Sequence, residues 1–410
     1  MSELLIRPSL GDHTVLADLL TPNLFEQRRP ISRLVVDAHH AVKRPALIEN
    51  AQKSGTPLVI DPLTPLLQGD VDPNDSWVRL LPFGSAPRLR PEALENRFML
   101  EELIAKVVEF QVEHGATTIV PPYFYAPGPD TPAFAATIAA IAGTARRMRS
   151  DGIALPLMPI LCARLQGMAR RPGWDGALDR FTAAAIDVGP QAIAMYLSPV
   201  GDGGEGYSKL LDFFVVAQRL RTAGTPVIAW RQGIYGPALV AAGLDGYECG
   251  IGAGEQTNLS SSMGARKRRK KGAAGYAPHG IYIQALGRSV APPVARALLA
   301  DRRLKGRLVC DSIDCCPRGV DSMLDPKGRR HAVRARARGL NELAVIPNAS
   351  WRLNSIAKQA ASAYVIGCKA NEVLHATGAK VRIKVDGYAA LEQVAEFLRS
   401  RDPESVRHSA

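Results

Sequence analysis

Short apolar runs alternate with longer amphipathic stretches along most of the chain. The runs RLVVDAHH and PLVIDPL have the length and β-branched content of buried strands, and the segment 44–54 between them has helical spacing. The same alternation continues through the helical segment 96–115 and the strand ATTIVPP as far as YGPALVAAGL and DGYECGIG. Strands and helices that alternate so regularly predict a parallel sheet joined by crossover helices.

About eight strands are predicted between residues 31 and 310, which is the number and spacing typical of a (β/α)8 barrel. The candidates are 33–37, 57–61, 117–121, 155–160, 192–197, 226–230, 245–251 and either 281–285 or 307–310. A doubly wound open sheet is the alternative, but no glycine-rich phosphate loop follows the first predicted strand.

We therefore predict an α/β fold, a (β/α)8 TIM-type barrel with a basic zinc-binding insertion and C-terminal helices. Its predicted divisions are an N-terminal lead-in (1–30), the barrel (31–309) with a mobile basic loop at 250–280, a Cys/His lobe (310–345) and the helices (346–410).

Composition places the chain among folded proteins, since 46% of its residues are hydrophobic and 22% are charged. The longest apolar run, AFAATIAAIAGTA, is too short to cross a bilayer, and the N-terminus has neither the basic start nor the apolar core of a secretion signal. We expect a cytoplasmic protein with no membrane partner, whose six cysteines are reduced. The oligomeric state stays open, with a homodimer among the alternatives.

Positive charge is concentrated in one segment. Residues 266–338 hold 19 Lys and Arg against five Asp, a net charge of +14, so the rest of a chain whose total is +12 sums to −2. A solvated basic loop is the simpler interpretation. A nucleic acid partner is favoured because the whole excess lies in one stretch, which begins with a run of six cations. The run that we expect to bind phosphate is Arg266, Lys267, Arg268, Arg269, Lys270 and Lys271.

Half of the cysteines lie inside this basic segment. Cys310, Cys315 and Cys316 with His331 would supply three thiolates and one imidazole, a complete tetrahedral set for a structural zinc ion. The spacing is C-x4-C-C rather than C-x2-C, so Pro317 or Gly319 would have to kink the backbone between adjacent ligands. The alternative is that Cys310 is a buried apolar residue and His331 belongs to a basic helix.

Candidate catalytic acids stand where the predicted strands end, which is the end of a parallel barrel that carries the chemistry. They are Asp37, Asp61, Asp245 and Glu248, with Glu255 in the loop that follows. Asp245 and Glu248 have an odd spacing and should point to opposite faces of their strand. His39 and His40 cannot both face one site on an extended chain, and Asp37 with His39 is an incomplete ligand set. The glycine-rich segment 198–209 could contact a phosphate or a ring edge, and Asp61 before Pro62 could simply cap a turn.

The segment GLDGYEC (243–249) resembles G-I/V-D-x-F-D-C of the tRNA-guanine transglycosylases, a base-exchange family that also acts on queuine, archaeosine and deazaguanine bases. The order of barrel strands, acid, basic stretch, three cysteines and histidine is similar too. Three features depart from the family. Glu248 stands where the family has Asp, D-S-G-G-F-Q is reduced to IDPLTPLLQ with Asp61, and the family's C-x-C-x2-C has become C-x4-C-C.

The resemblance implies a glycosyltransferase of the pentosyl class acting on DNA or tRNA. Glu248 would form the covalent carboxylate–sugar intermediate, and Asp61 or Asp245 would handle the proton of the purine or deazapurine base. Tyr247 and the loop 201–206 would contact that base, after it is turned out of the stack. Two alternatives remain open: a non-catalytic zinc-bearing nucleic-acid-binding barrel, and a TIM-barrel hydrolase or lyase that acts on a small acidic substrate.

Overall fold

The computed structural model describes residues 2–20, 30–68, 75–84, 89–252, 255–267, 279–325 and 328–401. The strands are β1 (Glu3–Arg7), β2 (Arg33–Asp37), β3 (Leu58–Asp61), β4 (Ile160–Arg164), β5 (Ile193–Ser198), β6 (Val227–Ala229), β7 (Gly246–Gly250), β8 (Ile281–Ile283) and β9 (Arg288–Val290).

The α-helices fall into two groups. Those of the barrel half are α1 (His13–Leu20), α2 (Ala38–Lys43), α3 (Pro45–Ser54), α4 (Thr64–Leu67), α5 (Arg97–Glu113), α6 (Pro132–Ser150), α7 (Trp174–Asp187), α8 (Tyr207–Arg221) and α9 (Gly236–Ala241). Those that follow are α10 (Leu259–Lys267), α11 (Pro292–Ala300), α12 (Arg302–Leu308), α13 (Val320–Leu324), α14 (Arg329–Ala344), α15 (Ala349–Ala376) and α16 (Asp386–Ser400). None of the described helices is long and apolar enough to cross a membrane.

The parallel sheet curls into a closed barrel. Seven strands follow the order β3-β2-β1-β7-β6-β5-β4. The segment 117–120 joins the two outer strands, because Thr117 N donates to Leu58 O at 2.8 Å and Ile119 N donates to Pro156 O at 2.9 Å. Parallel bridges from Thr118 to Val59 and from Ile119 to Leu157 complete the closure. The predicted (β/α)8 TIM-type barrel is confirmed, with 117–120 as its eighth strand.

The barrel begins earlier than the sequence pattern indicated. Its first strand, β1, lies inside the predicted lead-in and pairs in parallel with β2 on one side and β7 on the other. The sequence pattern missed β1 because no helix precedes this five-residue strand, whereas the other strands were predicted from their alternation with helices. Neither candidate for the last strand joins the barrel, since 281–283 pairs antiparallel with β9 and 307–308 ends α12.

Side chains along the barrel strands alternate between the interior and the helices, as a pleated strand requires. Leu5, Val35 and Val59 fill the interior, whereas Leu4, Leu34 and Leu58 pack against the surrounding helices. The next inward position on each of these strands is polar, namely Arg7, Asp37 and Asp61. The interior therefore changes from an apolar core to a charged layer at the carboxyl end of the strands.

A large insertion separates β7 from α14, the helix that packs beside β1 and completes the barrel. Within it, the β8–β9 hairpin and helices α11–α13 share a separate apolar core with α15, formed by residues such as Ile283, Leu298, Leu308, Ile366 and Leu374. The Cys/His lobe thus begins before residue 310. The predicted loop 250–280 contains α10, whose Leu259 contacts the barrel interior.

Candidate active site and metal cluster

Arg7 is the centre of the charged layer at the barrel mouth. Its Nε lies 2.9 Å from Glu248 Oε1, and its Nη2 lies 2.9 Å from Asp61 Oδ2 and 3.2 Å from Glu248 Oε2. Its Nη1 pairs with Asp37 Oδ1. Burial opposes the charge, but the carboxylates of Glu248, Asp37 and Asp61 raise the pKa of Arg7 well above its usual value. Strands β1, β2, β3 and β7 thus meet through a single guanidinium.

Asp61 and Glu248, two of the predicted acids, are brought together at this point, and both are fully buried. Tyr123 Oη donates to Asp61 Oδ1 at 2.7 Å, and the Trp230 indole donates to Oδ2 at 3.3 Å. Burial, together with the charge of Asp61, raises the pKa of Tyr123 well above its usual value, so the phenol stays a donor. Both oxygens of Glu248 are also engaged, because Arg231 N donates to Oε2 at 3.0 Å.

Arg231 is held in a strained backbone conformation at the end of β6. Its φ of 56° lies in the left-handed region, which is costly for a residue with a side chain. Its Nη2 lies 3.3 Å from Asp37 Oδ1, and its guanidinium lies 5.9 Å from the Tyr196 ring centroid. Its Nε is buried and has no hydrogen-bond partner in the part of the chain that the structure describes. A cation with an unsatisfied donor beside the mouth is suited to binding an anionic group.

Asp37 differs from the other two acids because it reaches solvent, with a side-chain exposure of 12%. Burial would raise its pKa, but Arg7 and Arg231 hold the pKa of Asp37 well below its usual range. His39 and His40 follow it in α2, and their rings are 4.2 Å apart. Burial, opposed by Asp37, lowers the pKa of His40. The two histidines approach one another because they lie on a helical turn rather than on an extended strand.

The structure excludes two predicted residues from the mouth. Asp245 precedes β7, and its carboxylate accepts from Val227 N at 2.8 Å, so it lies at the amino end of the barrel. Tyr247 points outward, where its ring packs against Gly236 of α9 and its hydroxyl finds no hydrogen-bond partner among described residues. Strand alternation explains Tyr247: with Glu248 directed inward, its neighbours along the strand must face the helices. Asp245 is excluded because it precedes the strand.

The predicted phosphate-binding run lies mostly outside the described residues. Arg268, Arg269, Lys270 and Lys271 are not described, and Arg266 and Lys267 are described only as the backbone of the last turn of α10. Among described residues, exposed cations close to the cysteines in sequence include Arg318, which pairs with Asp325. Helix α12, just before Cys310, presents Arg302, Arg303, Lys305 and Arg307.

The glycine-rich loop at 201–206 binds a carboxylate of its own chain. Glu205 accepts from the backbone N–H groups of Gly201 at 2.8 Å and Gly203 at 2.9 Å, and from Tyr235 Oη at 2.6 Å. Gly203 takes a φ of 82°, which favours glycine and turns its N–H inward. The groups that could have held a phosphate are thus already satisfied, which argues against a ligand role for this loop.

Cys310, Cys315, Cys316 and His331 converge, with one ligand atom from each residue within 4.8 Å of the others. His331 Nδ1 lies 3.3 Å from Cys315 Sγ and 3.4 Å from Cys316 Sγ, while its Nε2 lies 3.1 Å from the carbonyl oxygen of Tyr282. That carbonyl accepts the Nε2 proton and leaves the Nδ1 lone pair facing the sulfurs, which is the usual orientation of a ligating histidine.

The chemistry of this set fits a metal ion. The hydrogen bond from Cys316 opposes burial and lowers the pKa of Cys315, which favours the thiolate form that binds metal ions. The four residues therefore form a Cys3His cluster that can hold a metal ion.

Sequence reasoning missed Arg7, Arg231 and Trp230, each of which belongs to the charged layer. The signal for Arg7 was an arginine that ends an apolar run, ELLIR, at the same strand position as Asp37 and Asp61. Trp230 is the last residue of the predicted strand PVIAW, and Arg231 directly follows it. The strained backbone of Arg231 has no signature in the sequence.

No family model and no curated protein matches the chain. Solved structures with a partial likeness include an orotidine 5'-monophosphate decarboxylase from Sulfolobus solfataricus, with 12% identity and a TM-score of 0.34 over 65% of this chain and 96% of that one. The 2,3-dimethylmalate lyase has 12% identity and a TM-score of 0.33 over 65% and 80%. The carboxyl transferase domain of Rhizobium etli pyruvate carboxylase has 13% identity and a TM-score of 0.37 over 98% and 61%. Likenesses of this size carry no information about activity.

Proposed function

We propose that the protein is a transglycosylase-like enzyme that exchanges a purine or deazapurine base in a nucleic acid. The observation that carries the proposal is the meeting of Glu248 and Asp61 at the carboxyl end of the barrel, where both approach the same Arg7 nitrogen. Glu248 is the acid that the GLDGYEC resemblance assigns as nucleophile, and Asp61 is the acid of the degenerate IDPLTPLLQ segment.

Each acid has a distinct role in this reaction. A Glu248 oxygen attacks the anomeric carbon as the bond from that carbon to the base nitrogen breaks, which gives a sugar ester on the enzyme. Asp61, hydrogen-bonded by Tyr123 and Trp230, is the candidate for the proton of the departing or incoming base. Arg7 compensates both buried charges, so a substrate must replace its ion pair with Glu248 before attack. This reorganisation is the main demand that the geometry places on the proposal.

The Cys3His cluster is proposed as a structural zinc site. Four protein ligands close a tetrahedral shell and leave no position for water activation, so the ion would stabilise the lobe rather than take part in base exchange. The cluster joins the segment after α12 to the first turn of α14, and α12 exposes four cations. We propose that this lobe binds the phosphate backbone of DNA or tRNA.

Trapping of the covalent intermediate tests the proposed function. The protein is incubated with tRNA or with DNA in the presence of radiolabelled guanine, and both label incorporation and a denaturant-stable protein–nucleic acid adduct are measured. We expect both in the wild type and neither in Glu248→Gln. Asp245→Asn is the matched control, because it also removes a carboxylate beside β7 but at the other end of the barrel. Exchange that persists in Glu248→Gln removes Glu248 as the nucleophile.

A hydrolase or lyase for a small acidic substrate is the second candidate, and Arg231 favours it. The strained arginine with a buried, unsatisfied Nε could bind the carboxylate or phosphate of a small substrate next to Asp37. Turnover of such a substrate should respond mildly to salt, whereas nucleic acid binding should weaken steeply. Nucleic acid binding without exchange or adduct would instead favour the non-catalytic barrel.

A further inference from the structure

Asp37, His39 and His40 form a second cluster of potential metal ligands, far along the sequence from the cysteines. One ligand atom from each residue lies within 4.8 Å of the other two. The cluster stands at the carboxyl end of β2 and in the first turn of α2, so it borders the charged layer at the barrel mouth. Neither the base-exchange proposal nor the GLDGYEC resemblance uses it.

Asp37 and His40 each present a donor atom to this cluster. Arg7 and Arg231 both pair with Oδ1 of Asp37, and the side chain does not cap α2, so Oδ2 accepts no hydrogen bond within the described part of the chain. Nδ1 of His40 is buried and has no hydrogen-bond partner among the described residues. Buried polar atoms normally have a hydrogen-bond partner, so His40 Nδ1 and Asp37 Oδ2 are candidates for binding a metal ion.

The local charge permits a cation despite the two arginines. Asp37, Asp61 and Glu248 carry three negative charges against the two positive charges of Arg7 and Arg231, which leaves one negative charge in the layer. Lys43 of α2 is a further cation that acts on His40, but it is exposed to solvent. Asp37 is also the most exposed of the three acids, so an ion can reach it from solvent.

We propose that Asp37, His39 and His40 bind a divalent transition-metal ion at the barrel mouth through one carboxylate oxygen and two imidazole nitrogens. This donor set suits Zn²⁺, Fe²⁺, Mn²⁺ or Co²⁺ and occupies three coordination positions, so oxygen atoms of water or of an anionic ligand complete the shell. The site is independent of base exchange and of the Cys3His cluster.

Cobalt(II) titration of metal-free protein tests the proposal, because sulfur ligands give Co²⁺ an intense thiolate charge-transfer band and oxygen and nitrogen ligands do not. Equilibrium dialysis counts the bound ions. We expect two equivalents in the wild type, one with the sulfur band and one without. His40→Ala should lose only the sulfur-free equivalent, and its retained sulfur band shows that the variant is folded. Cys315→Ser should lose only the equivalent that gives the sulfur band.

His375→Ala is the matched control, since His375 is an exposed histidine of α15. It should keep both equivalents. The proposal is overturned if the wild type binds no sulfur-free equivalent, if His40→Ala and His39→Ala both retain it, or if His375→Ala loses it, which would indicate adventitious surface binding. A missing sulfur band would count against the zinc site alone, and a missing base exchange against the proposed function alone.

Discussion

Two buried tyrosines have different surroundings, one at the mouth of the barrel and the other on its outer face. Tyr123 Oη donates to the buried carboxylate of Asp61, whereas the hydroxyl of Tyr247 is buried against the helices and no described residue bonds to it. An equal change, removal of one oxygen, should therefore have different consequences at the two positions.

Tyr123→Phe should lower the free energy of unfolding by about 1.5–3 kcal/mol, because a hydrogen bond to a buried charge is removed. Tyr247→Phe should leave it unchanged or raise it by less than about 1 kcal/mol, since no bond is broken and a buried polar atom is removed. Urea unfolding measures both. A loss of stability at Tyr247 as large as that at Tyr123 would contradict the outward placement of Tyr247.

Arg7 makes the stability of the barrel depend on pH. The pKa of Asp37 is lower in the folded than in the unfolded chain, so its contribution is present above about pH 4 and is lost as the pH falls below that value. In Arg7→Met the buried carboxyls have no main counter-charge and should resist ionisation, so stability should instead fall as the pH rises from about 4 to about 7.

At neutral pH we expect Arg7→Met to lower the free energy of unfolding by about 3–5 kcal/mol, the range for removing one partner of a buried ion pair. Urea unfolding between acidic and neutral pH measures both the size of the change and its sign. Arg33→Met is the control, because Arg33 pairs with the partly exposed Glu3. Its free energy of unfolding should decrease by less and should depend less on pH. Equal pH profiles for Arg7→Met and the wild type would mean that Arg7 does not set the charge state of the cluster.

The residues of the mouth divide into those that strand patterning could locate and those that it could not. Once Glu248 is directed inward, alternation alone excludes Tyr247, and a strand that begins after Asp245 excludes that acid. The partnership of Arg7 with Glu248 was not predictable in this way, because it joins residues 241 positions apart through the closure of β1 on β7. Closure of the barrel brings together residues that are distant in the sequence, so it produces no periodic pattern in the sequence around either residue.

At the scale of single elements, the backbone N–H groups of the loop between β5 and α8 donate hydrogen bonds to a carboxylate of the same loop, that of Glu205. The carboxylate of Glu205 accepts hydrogen bonds from three backbone N–H groups, those of Gly201, Asp202 and Gly203, and from the Tyr235 hydroxyl, at distances of 2.6–3.2 Å. Glycine content alone suggested a ligand-binding loop, but the acid that closes it was also present in the sequence GDGGEG. A glycine-rich turn that contains its own acid is better interpreted as a structural element.

Glu205→Ala should therefore lower the free energy of unfolding by roughly 3 kcal/mol, because several buried donors are left without their acceptor. Formate should restore part of this stability by occupying the vacated position, and the thermal midpoint measures the recovery. Asp202→Ala removes a half-exposed acid of the same loop and should gain nothing from formate beyond the wild-type response. Absence of any formate effect on Glu205→Ala would contradict the view that the loop is an anion site filled from within.

At the scale of the whole molecule, the cations of the basic segment divide into those paired inside the fold and those exposed on α12. Several of its cations are used inside the fold: Arg336 pairs with Glu255, Arg329 pairs with Asp12, and Arg330 pairs with Asp18, all of which attach α14 to the rest of the protein. The sum of charges over 266–338 thus overstates what a phosphate backbone would meet. The exposed cations of α12 stand apart, since three of its four have no acidic partner among the described residues.

Nucleic acid binding should accordingly depend on α12. Replacing Arg302, Lys305 and Arg307 with Gln should weaken binding to duplex DNA and flatten the plot of log K against log salt concentration by about 0.9 for each phosphate that is no longer neutralised. Fluorescence anisotropy across a salt series measures both quantities. Replacing Arg146, Arg147 and Arg149 of α6 removes the same charge from a barrel helix and should leave the slope unchanged. Equal effects from the two triple variants would mean that net charge, rather than the Cys/His lobe, attracts the polymer.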